Sequence, residues 1–460
     1  MKIALVSFDA FEARSTGYYP PIHLCTIGTA LRRAGYDVKV FDYSAPFAGM
    51  ESLFRSVAEF APAIVGMTCF TPKMNVLGRV SRELRRFVPE SAMVVGGPHP
   101  TAWPAWTLEH MPQFDYAIAG EADRAVVEFA EMIEGRREAR DVKGLVYRSA
   151  GEIKCNPRDQ IDDLGIIAVT DRSFLDEYYR SGMYWDLAAR SPLDVMISSR
   201  GCPYDCSFCF KVERRYRYYS VDHVMAEFED MRCRGIRSVH VQDDAFTANQ
   251  KRCLAIADAL IAGGYRFDIK VRGRVNSANE RLLRRLREAG VTSIIYGFES
   301  GSQKMLDVMN KKTTVAQNRE AVRITKKVGL ACFGEIMIGL PGEDSQTVDE
   351  TIQFLLETKP IIGFVPVLYP LPSTKVYEDA KLDGTLVGDW TVGGEWPWVR
   401  LPWAGEKREI ERQAARINRA IQRDPGTVLY FFKSLWRKLL GRRQLRFLSR
   451  LALSHLRPAV

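Results

Sequence analysis

Short apolar runs alternate with amphipathic helical patterns along most of the chain, and this alternation limits the fold more than any other feature. In the N-terminal part, the predicted strands are residues 2–7, 37–41, 64–68, 93–95 and 116–119. Strand–helix alternation of this kind builds a parallel, doubly wound sheet, which binds ligands at the carboxyl ends of its strands. The sequence therefore predicts a Rossmann-like α/β domain at the N-terminus.

The alternation resumes near Val195. After a first strand there, the predicted strands are residues 238–242, 268–273, 293–298, 332–338 and 363–369, separated by helical patterns. Six strand–helix units predict a barrel or a partial (β/α)6 barrel, and function in such barrels lies at the carboxyl ends of the strands. Residues 141–171 predict a connector with one small strand at 144–147, for which an ordinary surface loop is sufficient.

The chain of 460 residues is long enough for two to three domains. We expect an N-terminal domain at 1–145, a linker at 146–190, a barrel at 191–378 and a mostly helical C-terminal extension at 379–460. Nine cysteines, an odd number and mostly scattered, exclude a disulfide framework and favour the cytosol. No apolar stretch reaches the length of a transmembrane helix and no cleavable leader is evident, so we expect a cytoplasmic protein.

Three cysteines, Cys202, Cys206 and Cys209, lie within eight residues on a loop that follows the first barrel strand. Thiolates so closely spaced repel one another without a cation, and a frequent use of them is to bind an iron–sulfur cluster. Three ligands leave one iron open to a small molecule, as in catalytic zinc sites that keep an open position. A zinc loop or scattered structural thiols are the alternatives, but zinc needs a fourth ligand, and the nearest flanking candidate is His223.

The Cys-x3-Cys-x2-Cys spacing resembles the signature of the radical S-adenosylmethionine (SAM) superfamily. The resemblance implies that the three cysteines bind a 4Fe–4S cluster, that the open iron chelates SAM, and that SAM is cleaved to a 5'-deoxyadenosyl radical. A reductant such as flavodoxin or ferredoxin is implied as a partner. It also implies SAM contacts at the strand ends, from Phe208, Asp243, Asp244, Glu299, Ser300, Glu335 and Gly339.

Alternatives remain open for the aspartate pair and Glu299 among these residues, and for two further candidates, Arg272 and Arg274. The pair Asp243 and Asp244 suits the SAM ammonium and equally suits a helix N-cap. Arg272 and Arg274 are candidates for the carboxylate of SAM or for the substrate, because a guanidinium matches a carboxylate, or are solvated surface arginines. For Glu299, the ribose hydroxyls of SAM are the expected partners, and a structural role is the alternative.

Three predicted strands of the N-terminal domain are followed by loops that carry glycines, at Gly96-Gly97 and Gly120, or hydroxyls, at Thr68 and Thr71. Glycine lets a backbone approach a large flat ligand, and hydroxyls can bind its polar edges. Ahead of a radical SAM core, the runs Gly-Gly-Pro-His-Pro-Thr and Asp115-x4-Gly-Glu resemble the cobalamin-binding domain of cobalamin-dependent radical SAM enzymes. The resemblance implies cobalamin contacts from Thr68, Thr71, Gly96, Gly97, Pro98, His99, Thr101, Gly120 and Glu121. The Asp-x-His-x-x-Gly motif of cobalamin-dependent mutases is absent. We therefore expect cobalamin without a histidine ligand from that motif, and a structural role for the imidazole of His99.

The net charge of +9 comes mostly from residues 425–460, which hold eight Lys or Arg and no Asp or Glu. Their apolar positions fall on one helical face, which predicts basic amphipathic helices that bind a membrane surface or dock on the core, with nucleic acid as a third alternative. We therefore add a peripheral position at the inner membrane surface as an alternative. The tryptophan-rich residues 389–403 predict either a lid over an apolar substrate or a packed cap.

The expected function is cobalamin-dependent radical SAM methyl transfer to an unactivated carbon of a small molecule. The resemblance implies that the adenosyl radical abstracts hydrogen, that methylcobalamin delivers the methyl group, and that a second SAM remethylates cobalt. Ring formation or oxidation with the same cofactors, and a cluster-containing sensor without turnover, are the alternatives. A membrane-bound tail would favour a lipid or isoprenoid-derived substrate, and otherwise a soluble natural-product intermediate fits equally well.

Overall fold

The computed structural model describes residues 1–8, 17–43, 50–186 and 189–422. Within them, two large sheets of seven and six strands dominate the fold. The strands of the first sheet are β1 (Lys2–Ser7), β2 (Asp37–Asp42), β3 (Ile64–Thr68), β4 (Ala92–Gly96), β5 (Tyr116–Ile118), β6 (Leu145–Ser149) and β7 (Glu152–Cys155). Those of the second sheet are β8 (Leu193–Met196), β9 (Ser238–Val241), β10 (Asp268–Gly273), β11 (Val291–Glu299), β12 (Ala331–Ile336) and β13 (Ile361–Ile362).

Helices cover both sheets. They are α1 (Ile22–Arg33), α2 (Met50–Phe60), α3 (Met74–Phe87), α4 (Pro98–Ala102), α5 (Pro104–His110), α6 (Ala125–Ile133), α7 (Asp176–Arg180), α8 (Val221–Cys233), α9 (Gln250–Ala262), α10 (Glu280–Glu288), α11 (Gln303–Val308), α12 (Val315–Val328), α13 (Ser345–Thr358), α14 (Lys375–Leu382) and α15 (Lys407–Gln422). Short two-stranded ribbons pair Gly17–Tyr18 with Trp185–Asp186, Ser199–Arg200 with Arg217–Tyr218, and Leu386–Val387 with Trp398–Val399.

The first sheet has the strand order β2-β1-β3-β4-β5-β6-β7, parallel from β2 to β5 and antiparallel at β6 and β7. The order 2-1-3-4-5 is a doubly wound one, and its switch point lies between β1 and β3. Along β1, Ile3 and Leu5 pack on one face of the sheet, while Ala4 and Val6 pack on the other. Strands buried on both faces read as continuous apolar runs, which is why the sequence predicted them. The doubly wound fold is confirmed.

The edge strand β7 corrects the expected surface loop in residues 141–171. Its side chains are mostly exposed, so it lacks the apolar signal of a strand, and it is held by pairing of Val146 with Cys155 and of Arg148 with Ile153. The sheet thus continues to Cys155, past the predicted domain boundary at residue 145.

The second sheet is parallel, and its strands follow chain order from β8 to β13, with helices between most of them. This arrangement is an open barrel, as predicted. The last strand differs from the predicted one at 363–369, because only Ile361–Ile362 forms ladder pairs and Val367 forms an isolated bridge with Ile338. Pro366, which lacks an N–H group, and Gly363 interrupt the run.

The connector after β7 is not a surface loop either. The Arg172 side chain is fully buried and forms ion pairs with Asp194 of β8 and Glu227 of α8. Next to it, the backbone N–H of Asp171 donates to Thr29 Oγ1 of α1 (2.9 Å). The connector therefore fastens the first sheet to the barrel, through contacts that its polar sequence does not reveal.

The aromatic residues after α14 form a packed cap. Trp390 is 1% exposed, donates from Nε1 to the carbonyl of Pro370 (2.7 Å), and packs with the core of the first sheet. Asn75 of α3 bonds the backbone of Gly393 and Gly394. Of the two alternatives for this stretch, the cap is therefore the one observed. Residues 423–460, which carry the predicted amphipathic helices, lie outside the described residues.

Candidate functional site

A cavity of about 430 Å³ lies between the carboxyl ends of the first sheet and the rim of the barrel. Its deep end is apolar and is lined by Ile3, Leu5, Ile64, Val94, Ile118 and Phe129. Its polar side is lined by Glu121, Asp123, Arg200, Lys211, Gln242 and Asp244. A cavity bounded by the strand ends of both sheets occupies the position where each of these folds binds its ligands.

The loops after β3 and β4 form one wall of this cavity. Gly97 has φ 102° and ψ −169°, a conformation that is essentially restricted to glycine. A Cβ there would lie 2.7 Å from Thr68 Cγ2 and 3.1 Å from the carbonyl oxygen of Cys69. The Thr101 hydroxyl donates to the Gly97 carbonyl (2.7 Å) and accepts from the Gly120 N–H (2.9 Å). The wall is thus exposed backbone, fixed from behind, against which a flat ligand can lie.

The predicted cobalamin contacts separate into two groups. Thr68, Gly96, Gly97, Pro98, Gly120 and Glu121 line the cavity. The side chains of Thr71, His99 and Thr101 are buried behind the wall and support it, which corrects their assignment as contacts. For His99, Nδ1 bonds Thr71 Oγ1 (3.1 Å), the ring packs with Trp103 and Trp106, and burial lowers the pKa to about 4. Its imidazole is therefore a neutral structural group.

Glu121 fastens the two sheets together. It is buried, and its carboxylate lies 2.7 Å from Arg217 and 3.2 Å from Arg200, while Arg200 also binds Asp123 at 2.6 Å. Both arginines belong to the ribbon that flanks the cysteine loop. The carboxylate that was expected to contact cobalamin is thus committed to docking the two halves of the chain. Arg200, Asp123 and Arg217 were missed, because their pairing spans 77 to 96 residues of sequence.

The three cysteines lie in the loop after β8, close enough for their charges to interact. Partial desolvation raises the pKa of Cys202, which is half-buried, and desolvation followed by the nearby Cys206 raises the pKa of Cys209, although Cys209 still reaches the surface. Thiolates in these positions need compensating cations, and Lys211 lies close enough to lower the pKa of both Cys202 and Cys209 in part. No three His, Cys, Asp or Glu side chains in the described ranges are arranged to hold a metal ion, so the triad as a ligand set stays a prediction. Three clustered sulfurs beside cations nevertheless fit an anionic iron–sulfur cluster.

Of the aspartate pair after β9, only one carboxylate faces the cavity. Asp243 is fully buried and accepts hydrogen bonds from the Ser198 N–H (2.5 Å), Ser198 Oγ (2.6 Å) and Ser199 Oγ (2.6 Å). It therefore anchors the end of β8 to β9 and is not free to bind an ammonium group. Asp244 is exposed at the cavity wall, where it can accept hydrogen bonds from a cation.

Glu299 ends β11 in a strained conformation. Its φ of 62° is rare for a residue other than glycine, and such strain, of order 1–3 kcal/mol, clusters at functional sites. The carboxylate is buried and pairs with Lys311 Nζ at 2.6 Å. The neighbouring Ser300 is buried and bonds Thr351 of α13 (3.0 Å), so its hydroxyl supports the core and is not a SAM contact.

The remaining predicted residues lie along the rim. Glu335 is exposed and forms a bidentate pair with Arg272 at 3.0 and 3.1 Å. Gly339 has φ 100° and donates its N–H to the buried carboxylate of Glu343. Arg274 is buried, with its guanidinium beside the cysteine loop.

Phe208 packs into a small apolar cluster with Met305, Met309 and Leu340 and does not line the cavity, whereas Phe210 does. The sequence places both rings in the cysteine loop, but a sequence does not indicate in which direction a loop side chain points.

Two family models match this chain. The B12 binding domain matches residues 10–130, and the Radical SAM superfamily matches residues 196–355. An uncharacterized methyltransferase of Pyrococcus horikoshii is 29% identical over 375 residues, covering 80% of each chain. An anaerobic magnesium-protoporphyrin IX monomethyl ester cyclase of Cereibacter sphaeroides is 29% identical over 402 residues, covering 83% of this chain and 64% of the cyclase.

Two solved structures share the fold. One is the radical SAM methyltransferase TsrM from Kitasatospora setae with cobalamin and a [4Fe-4S] cluster bound, with TM-score 0.72, 19% identity, and coverage of 90% of this chain and 84% of that one. The other is the cobalamin-dependent SAM radical enzyme OxsB with aqua-cobalamin and SAM bound, with TM-score 0.77, 17% identity, and coverage of 98% and 71%. The chain therefore carries a B12 binding domain followed by a Radical SAM domain, and these two domains point to cobalamin, SAM and a 4Fe–4S cluster as its cofactors.

Proposed function

We propose that the protein methylates an unactivated carbon of a small-molecule substrate. When bound, the cluster and SAM supply a 5'-deoxyadenosyl radical that removes a hydrogen atom, and cobalamin supplies the methyl group. The observation that carries this proposal is the cavity, whose lining includes the glycine wall of the first sheet and, from the barrel rim, Gly201 and Phe210 on either side of the three cysteines. Several relatives are named methyltransferases or methylases, which supports the same reaction.

In this proposal, the chain's residues bind and orient the cofactors. Cys202, Cys206 and Cys209 hold the cluster. Asp244 and Glu299 accept hydrogen bonds from the ammonium and hydroxyl groups of SAM, because carboxylates suit both kinds of donor. The wall formed by Gly97 and its neighbours holds the corrin, while the apolar deep end of the cavity accepts the less polar part of the cofactor and excludes water.

A second candidate keeps the cofactors but ends in ring formation or oxidation. The magnesium-protoporphyrin cyclase relative favours it, since its identity to this chain equals that of the methyltransferase relative. Both candidates need an external electron donor such as flavodoxin or ferredoxin. For the substrate, a lipid would fit a membrane-bound tail, and a natural-product intermediate would fit a tail docked on the core.

Two products measured without a substrate test the proposal. Anaerobically purified protein, supplied with cobalamin, is incubated with SAM and dithionite, and 5'-deoxyadenosine and S-adenosylhomocysteine are quantified. Methyl transfer predicts both products, because one SAM is cleaved and another methylates cobalt. Formation of 5'-deoxyadenosine alone favours the cyclase candidate. Replacing the three cysteines with alanine should abolish 5'-deoxyadenosine, and retention of cleavage would contradict the assigned cluster ligands.

A further inference from the structure

Arg274 is held rigidly beside the cysteine loop. It follows β10, and its backbone N–H donates to Thr247 Oγ1 (3.1 Å), while its carbonyl accepts from Ser277 Oγ (2.6 Å). The hydroxyls of Thr247 and Ser277 are themselves 2.6 Å apart, and both side chains are buried. This closed network fixes the backbone of Arg274 relative to the barrel rim.

The guanidinium of Arg274 contacts two residues of the cysteine loop. Its central carbon lies 3.7 Å from the centroid of the Tyr204 ring, and Nη1 lies 3.9 Å from Cys206 Sγ, a hydrogen-bonding distance for sulfur. The side chain is 8% exposed, and its Nε is buried without a partner. Among the described residues, no carboxylate forms an ion pair with it. Because buried charges are normally paired, an anionic group is expected here.

Two anions could meet this guanidinium, the carboxylate of SAM or a cluster bound by Cys206. The stacking on Tyr204 directs the donor edge at the sulfur of Cys206, two residues further along the same loop. Hydrogen bonds to the sulfurs of an iron–sulfur cluster help to set its reduction potential, and bonds from a charged donor are the stronger kind. The contact with sulfur is the one that the structure contains.

We propose that Arg274 donates a charge-assisted hydrogen bond to the cluster ligand Cys206 and thereby raises the reduction potential of the cluster. The proposal rests on the cluster being bound by the cysteine triad. In the redox step, one electron passes from the external reductant to the cluster, and no bond to Arg274 forms or breaks. A fixed cation stabilises the reduced cluster more than the oxidised one, because the reduced form carries one more negative charge.

The test compares Arg274→Met and Arg274→Lys with the wild-type full-length protein, reconstituted anaerobically without SAM. Iron and sulfide contents are measured first, and the midpoint potential is then determined by EPR-monitored titration. Arg274→Met should make reduction about tenfold less favourable, a shift of about 59 mV to more negative potential. Arg274→Lys should shift the potential less, since lysine keeps the positive charge but lacks the planar set of donors of a guanidinium. Arg266→Met, which removes an exposed arginine just before β10, at the end of the strand opposite Arg274, is the matched control and should leave the potential unchanged.

Each outcome decides the proposal. A wild-type potential in Arg274→Met with full cluster content overturns it. A tenfold loss of SAM affinity in calorimetry, with an unchanged potential, also overturns it and assigns Arg274 to the carboxylate of SAM. If Arg274→Met does not retain the cluster, the comparison rests on Arg274→Gln, which also removes the charge and in which an unshifted potential overturns the proposal. Wild-type protein without a 4Fe–4S cluster would refute the proposed function itself, and the iron analysis reveals this first.

Discussion

Replacing Gly97 with alanine should disrupt the cavity wall. At φ 102° and ψ −169°, a residue with a Cβ is strained by about 1–3 kcal/mol. The new Cβ would also lie 2.7 Å from Thr68 Cγ2 and 3.1 Å from the Cys69 carbonyl oxygen. The Thr68 methyl can move by a rotamer change, but the Cys69 carbonyl belongs to the loop backbone and accepts the His99 N–H (3.0 Å). Relief of the contact therefore requires the β3 loop to move away from the β4 loop.

A displaced wall should bind cobalamin less well. We expect an affinity loss of at least about tenfold, which corresponds to about 1.4 kcal/mol, or roughly half the strain introduced. The assay is titration of the purified variant with hydroxocobalamin, followed by the change in visible absorbance, with thermal unfolding measured in parallel. Both readouts are needed because a purely global destabilisation lowers the melting temperature without a specific loss of binding.

Gly35→Ala is the matched control. Gly35 also has a positive φ, 90°, but a Cβ there meets nothing within 4 Å, and the residue lies at the end of α1, away from the cavity. It should lose about 1 kcal/mol of stability from backbone strain alone and keep cobalamin affinity. If Gly97→Ala binds cobalamin as tightly as Gly35→Ala does, the glycine wall does not hold the cofactor and the reasoning fails.

Three further predictions concern stability and the tail. Glu121→Gln leaves Arg217 buried without its carboxylate and should cost about 3–5 kcal/mol in urea unfolding, and a cost below about 1 kcal/mol would contradict a docking role. Burial raises the pKa of Glu343 to about 7, so in the folded protein it keeps a proton that the unfolded chain releases near its ordinary value of 4.5. The free energy of unfolding should therefore fall by about 3 kcal/mol as pH rises from about 4.5 to 7. Glu343→Gln should weaken the dependence of the melting temperature on pH, and an unchanged dependence would refute the raised pKa of Glu343. Truncation after Arg423 should abolish liposome binding and spare SAM cleavage, and equal binding by the truncated protein would exclude the membrane role.

The elements of this fold were predictable where burial is continuous. β1, β3 and β10 were predicted at their observed bounds, because strands buried between helix layers are short apolar runs between turns. The edge strand β7 was not, since its exposed side chains carry no apolar pattern. At the last barrel strand, the apolar run was visible, but Pro366 and Gly363 broke the ladder that such a run would otherwise form.

At the candidate site, residue types were predictable and side-chain directions were not. The sequence indicated that Gly97 and Asp244 lie at strand ends, because the strand that precedes each was evident. It could not indicate that Asp243 turns inward to two serines, or that the Glu121 carboxylate meets Arg217, since such partners are set by the docking of separate segments. Phe208 and Phe210 differ in the same way, as one packs against a small apolar cluster and the other lines the cavity.

The ion pairs of Glu121 with Arg200 and Arg217 also determine how the two halves of the site meet. Glu121 follows the glycine loop of β5, and its partners Arg200 and Arg217 form the ribbon from which the cysteine loop extends. The wall for cobalamin and the loop for the cluster are therefore joined by one set of buried ion pairs and cannot shift independently. Under the proposed function, radical abstraction and methyl delivery reach the same substrate carbon, so that reaction would require a fixed separation between the two cofactors. A carboxylate assigned from its motif to cofactor binding thus serves the cofactors indirectly, by holding their two sites at one distance.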